Sequence, residues 1–116
     1  MVQMTVQVSE ELAKRCQAVG PWLSAIIDLS LLGLRTPAVA VASEIIGFLS
    51  ENPAPEDVVN FHLPDTEQFR LRRLLSLNQA GCLAQEEEAE LDELQRLEHF
   101  MIILKARTAQ ERRKEN

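Results

Sequence analysis

"LNQAGCLAQEEEAELDELQRLEHFMIILKA", residues 77–106, holds the end of one helix, a reversal and most of a second helix. Gly81 stands where a residue in left-handed conformation ends a helix, and Cys82 can then pack back on Leu77 in a Schellman-type contact. Asn78 falls on the apolar face of the first helix, where its side chain either bonds the backbone of the turn or meets water. The second helix is expected from about Gln85. Glu87 takes the third position of a capping box whose first position holds Ala84 in place of Ser, Thr or Asp. Leu91, Leu94, Leu97, Met101 and Leu104 recur at three- and four-residue spacing, which makes one stripe able to pack on the preceding helix as an antiparallel hairpin. Phe100 and Ile103 lie away from that stripe. From Phe100 to Leu104 the helix is apolar nearly all round, so it needs a second cover, either from residues 1–50 or from a partner chain.

The carboxylates of this stretch do not have the spacing of a metal site. A di-metal cluster inside a bundle uses Glu-x-x-His, but Arg96 stands three residues before His99 and Val59 three before His62. Glu86, Glu87, Glu88, Glu90, Asp92 and Glu93 instead crowd the first turns, where they complement the positive end of the helix dipole. Lys105, Arg107, Arg112 and Arg113 do the same at the other end. Asp92 and Arg96 are spaced to pair along the helix. The chain has no Gly-rich phosphate loop, no nucleophile elbow and no CxxC pair, so neither a metal, a cofactor nor catalytic residues are expected from motifs.

Composition favours helix. Of 116 residues, 46% are hydrophobic and only 4% aromatic, so the core must be aliphatic, and β-branched runs are rare after the N-terminus. The length suits a single domain. A net charge of -6 argues against nonspecific binding to nucleic acid. Cys16 and Cys82 lack a paired spacing and no secretory leader pattern opens the chain, which leads us to expect a reducing cytoplasm. Asp28, Arg35 and Glu44 interrupt the most apolar segment, Pro21 to Leu49, which excludes a membrane span there.

Working outward, "VQMTVQV", residues 2–8, alternates Val2, Met4, Val6 and Val8 with Gln3, Thr5 and Gln7, the pattern of a half-buried strand. Ser9 reads as the N-cap of a three-turn helix ending at Gly20. Pro21 opens a second helix to Leu32, apolar on nearly every side and therefore expected to be buried on most of them. Gly33 ends it, and Thr36-Pro37 starts a third helix to about Ser50. On this helix Ala40, Ser43, Glu44 and Gly47 form a small-residue side, a place for close helix approach or a solvent strip. Residues 1–51 thus form a strand with apolar helices, and 52–64 a Pro-rich connection with a short helical turn near Val58. Residues 65–110 form the hairpin, with Asp65 as N-cap and Gln68 as its capping-box partner, and 111–116 a charged tail. The fold class is all-α, about five helices with one N-terminal strand.

Residues 5–15, "TVQVSEELAKR", resemble the strand and first helix of ribbon-helix-helix repressors and antitoxins, whose strands pair across a dimer and read DNA. That resemblance implies Gln3, Thr5 and Gln7 as a base-reading face, whereas Gly20-Pro21-Trp22-Leu23-Ser24 departs from the family's polar second-helix start. The pattern Arg70-Leu71-Arg72-Arg73-Leu74-Leu75, Asn78, Gly81, Leu83, Glu86-Glu87, Glu90-Leu91, Leu94, Leu97-Glu98-His99 and Lys105-Ala106 resembles the C-terminal hairpin of a family of small, chiefly cyanobacterial proteins of uncharacterised function. Ala84 departs from the Ser or Thr usual in that pattern. Relatives of this hairpin accompany antitoxin-like N-termini, so the likeness implies a protein-interaction module with a toxin as one possible partner.

The expectation is a non-enzymatic homodimer that binds another protein, with Val2, Met4, Val6, Phe100 and Ile103 at its interface. The alternatives are a DNA-binding regulator that uses Gln3, Thr5 and Gln7, and a small enzyme whose site assembles between subunits.

Overall fold

The computed structural model describes residues 2–115. Among them are six α-helices: α1 (Glu10–Val19), α2 (Leu23–Ser30), α3 (Ala38–Ser50), α4 (Pro55–Val59), α5 (Asp65–Gln79) and α6 (Gln85–Glu115). A single 3-10 turn, Gly20–Trp22, joins α1 to α2. The frame of the molecule is α6, whose 31 residues give a rod of about 46 Å at the helical rise. Against it pack α5, α4 and α3, while α2 packs on α3, and α1 rests on α3 and the 3-10 turn.

The hairpin forms as its local chemistry dictates. Gly81 takes a φ of 72°, the Cys82 amide donates to the Leu77 carbonyl at 2.9 Å, and the Gly81 amide donates to Asn78 O at 3.0 Å. These two bonds make a Schellman closure, which reverses the chain. Asn78 itself is exposed to solvent. The start of α6 is half capped: Glu87 Oε1 accepts from the Ala84 amide at 3.1 Å, but Ala84 has no oxygen to return the bond. The start of α4 repeats the arrangement, with Asp57 Oδ2 accepting from the Ala54 amide at 3.3 Å.

The core is aliphatic and continuous. Ile45, Leu49, Val58, Leu74 and Leu97 are fully buried, and Leu91, Leu94 and Met101 complete the α6 stripe. Trp22 is the large exception; its ring is buried and its indole N–H donates to Pro53 O at 2.9 Å, which satisfies the polar edge of the ring. Phe48 and Phe61 stack with centroids 4.6 Å apart.

Several expectations need correction. Residues 2–9 form no strand: no other described segment offers an edge, and an alternating pattern cannot satisfy its own backbone as a helix can. Val2, Met4, Val6 and Val8 are all exposed. Helix α2 is shorter than expected and buries only Leu29, because no element covers its outer side. Asp65 is the first helical residue and not a cap; Gln68 Nε2 donates to the Leu63 carbonyl at 2.7 Å in place of a capping box. The tail is not separate. Helix α6 runs on through it to Glu115, favoured by strong helix formers and by basic residues at its C-terminal end, and Arg112 reaches Glu56 at 3.3 Å. Asn116 lies outside the described residues. The small-residue side of α3 faces solvent: Ala40, Ser43, Glu44 and Gly47 are all exposed.

Candidate functional site

Glu90, Glu93, Arg96 and Lys105 of α6 are held in structural bonds. Glu93 is buried, and its carboxylate accepts from the Arg35 amide through both oxygens at 3.0 Å. Its Oε1 also accepts from the Thr36 amide at 3.0 Å and from the Thr36 hydroxyl at 2.8 Å. Burial pushes its pKa up, but these donors, helped by the charge of Arg96, outweigh burial and hold it below the usual carboxylate range. Thr36 Oγ1 in turn accepts from the Ala38 amide at 3.1 Å, so Glu93 anchors the start of α3 through Thr36, one residue before the Pro37 cap position. One turn further along α6, Arg96 donates to Leu32 O at 2.9 Å, and it is this carbonyl rather than Asp92 that holds the guanidinium.

Glu90 is buried too, and Arg70 grips it with two parallel bonds, Nε to Oε2 at 2.9 Å and a terminal guanidinium nitrogen to Oε1 at 3.0 Å. This fork pins α5 to α6, and the bond to Glu90 raises the pKa of Arg70 further. Lys105 donates to the Phe61 carbonyl and Thr108 to Leu104 O. Among the described residues, no three His, Cys, Asp or Glu side chains are grouped so as to hold a metal ion. The free thiols Cys16 and Cys82 are not paired with each other.

Two concavities flank α6. The larger, about 1280 Å³, is an open groove between α2 and α6. Its apolar wall is made by Ile27 and Leu31 on α2 and its immediate C-terminal residue, and by Phe100 and Ile103 on α6, with Asp28, Asp92, Arg96, His99 and Arg107 among its polar lining. Leu31 is 77% exposed and Ile103 37%, whereas Phe100 is half-buried against the core. The second, about 350 Å³, is a shallower hollow between α5 and the other side of α6, lined by Phe61, His62, Met101 and Ile102. His62 and His99 therefore belong to different concavities.

The structure thus brings Phe100 and Ile103 together in one groove, and places Val2, Met4 and Val6 on an arm that does not touch it: no residue before Pro21 lines the groove. Gln3, Thr5 and Gln7 are exposed on the same arm. The contribution of Ile27 and Leu31 was missed from sequence. The signal is a helix apolar on nearly every side, which predicts burial on most of them. No helix among the described residues is long and apolar enough to cross a membrane. In comparisons with known proteins, no family model, no curated protein and no solved structure matches this chain.

Proposed function

We propose that the chain is a non-enzymatic protein-interaction module that assembles as a homodimer and binds another protein, with neutralisation of a toxin-like partner as the role its resemblances imply. One observation carries this reading: two apolar surfaces, the N-terminal arm and the α2–α6 groove, remain uncovered in a chain whose core is otherwise well filled. The binding of Glu93, Glu90, Arg96 and Lys105 into structural bonds supports a non-catalytic role, since these groups serve the packing of helices. Light scattering across a concentration series tests the assembly. A dimer is expected for the native chain and a folded, helical monomer for Phe100→Glu/Ile103→Glu. A native chain that is monomeric at every concentration would sink the reading.

The joint exposure of Gln3, Thr5 and Gln7 favours a DNA-binding regulator as a second reading. It requires steeply salt-dependent binding to duplex DNA that Gln3→Ala/Gln7→Ala abolishes.

A further inference from the structure

The solvent face of α6 changes sign along its length. At helical spacing Asp92, Gln95, His99, Ile102, Ala106, Gln110 and Arg113 fall in one stripe along the rod, with Ile103 beside Ile102, and every one of them is exposed. Before Gln95 the charges on this face are acidic, Glu88 and Asp92; after Gln110 they are basic, Arg113 and Lys114. Between them stand two isoleucines, Ile102 58% and Ile103 37% exposed. Arg96 borders the stripe, but its guanidinium is held at Leu32 O. The groove beside α2 lies to one side of this face and the hollow beside α5 to the other, Ile103 lining the first and Ile102 the second, so the pair forms a crest between them.

The pattern has a centre. Asp92 stands ten residues before Ile102 and Arg113 ten after Ile103; Gln95 and Gln110 stand seven away, and His99 and Ala106 three. A two-fold axis across α6 between the isoleucines therefore brings Asp92 to the height of Arg113 in a second copy, sets amide level with amide, and leaves the small Ala106 opposite His99. A copy running parallel would put Asp92 against Asp92 and Arg113 against Arg113, and like charges oppose it. Among the described residues neither Asp92 nor Arg113 has an ion-pair partner in its own chain.

We propose that the homodimer forms through this face: two α6 helices run antiparallel about an axis between Ile102 and Ile103, with the isoleucines packed at the centre and Asp92 of each protomer facing Arg113 of the other. This deepens the homodimer reading above and rests on it, while leaving the N-terminal arm outside the contact. The isoleucines supply apolar surface, and the inverted charges supply direction and register.

Charge reversal tests it, read as the dimer dissociation constant by analytical ultracentrifugation at low ionic strength, where such pairs are least screened. Asp92→Arg and Arg113→Asp are each expected to weaken association several-fold, although they move the net charge in opposite directions. The double variant Asp92→Arg/Arg113→Asp is expected to return it close to the native value. Opposite shifts from the two single variants would mean that net charge alone matters. Weakening that the double variant does not reverse would break the register, and native association by both single variants would put the contact elsewhere. Each of these results overturns the α6 pairing and leaves the homodimer standing, whereas a native chain that is monomeric at every concentration removes both. Ile102→Asp, at an exposed position, is expected to be folded by circular dichroism and monomeric where the native chain is dimeric; an unchanged dissociation constant for it also overturns the pairing.

Discussion

The hairpin and the N-terminal arm both repeat apolar residues at a regular period, but only the hairpin buries its stripe. Leu91, Leu94, Leu97 and Met101 are buried; Val2, Met4, Val6 and Val8 are exposed. The difference is one of self-sufficiency. A helix satisfies its backbone within itself, so its stripe needs only neighbouring surfaces, and the turn at Gly81 folds α5 back as one of them. An extended segment needs a partner for its backbone as well as for its face. Periodicity declares a face without supplying the cover.

The sharpest way to break this contrast is to truncate one residue from each stripe. Leu97→Ala should cost roughly 2–5 kcal/mol of unfolding free energy in chemical denaturation. Val6→Ala, measured at a concentration where the chain is monomeric, should change it by no more than about 0.5 kcal/mol. A Val6→Ala loss approaching that of Leu97→Ala under those conditions would show that the arm is covered within its own chain.

The next largest effect probes the link between the two regions. Glu93→Gln keeps the shape but weakens charge-assisted bonds to residues 35 and 36, and should cost about 1.5–3 kcal/mol. Because the folded pKa of Glu93 is lowered, its carboxylate contributes stability above the ordinary carboxylate pKa, and this contribution is lost as pH falls through the folded value. The denaturation midpoint of the native chain should therefore fall more steeply on acidification than that of Glu93→Gln, and parallel pH curves would contradict the bonding described.

Smaller still is the missing half of the α6 cap. Ala84→Ser should raise stability by about 1 kcal/mol, read as a higher unfolding midpoint, because its hydroxyl can return the bond that Glu87 already makes. The smallest effect concerns α3 and α5. Desolvation and then the facing carboxylate of Glu67 raise the pKa of Glu44, so Glu44→Gln should slightly raise the thermal midpoint at neutral pH. That gain should fade in acid, since a raised folded pKa contributes stability below the unfolded pKa and loses it as pH rises through the folded value.

What could be read from the sequence was what neighbours along the chain decide. The Schellman turn, the half-made cap at Ala84, the Ser9 cap that accepts from Leu12 at 3.1 Å and the leucine stripe all depend on residues within a few positions of one another. The Glu93 anchor joins residues 57 and 58 positions apart, so its carboxylate looked like one more charge suited to a helix N-terminus. The arm departs from its alternating pattern for a related reason: alternation reports what a strand would do beside an edge, and no edge exists among the described residues. For the groove, Phe100 and Ile103 could be picked out because they fell off the stripe, but Ile27 and Leu31 could not, because in a segment apolar all round no residue marks the uncovered side.

The bonds that hold the corner between α2 and α3 have an effect beyond the stability they add. Glu93 and Arg96 fasten that corner to α6, and at the opposite end Trp22 is tied to Pro53 and Arg112 to Glu56. Helix α2 is therefore a beam supported at both ends above α6, and the breadth of the opening beside Phe100 is gauged by residues outside its apolar wall. Loosening Glu93 would let the beam tilt, so a carboxylate two turns before Phe100 on the same face of α6 would set how wide a chain the opening admits.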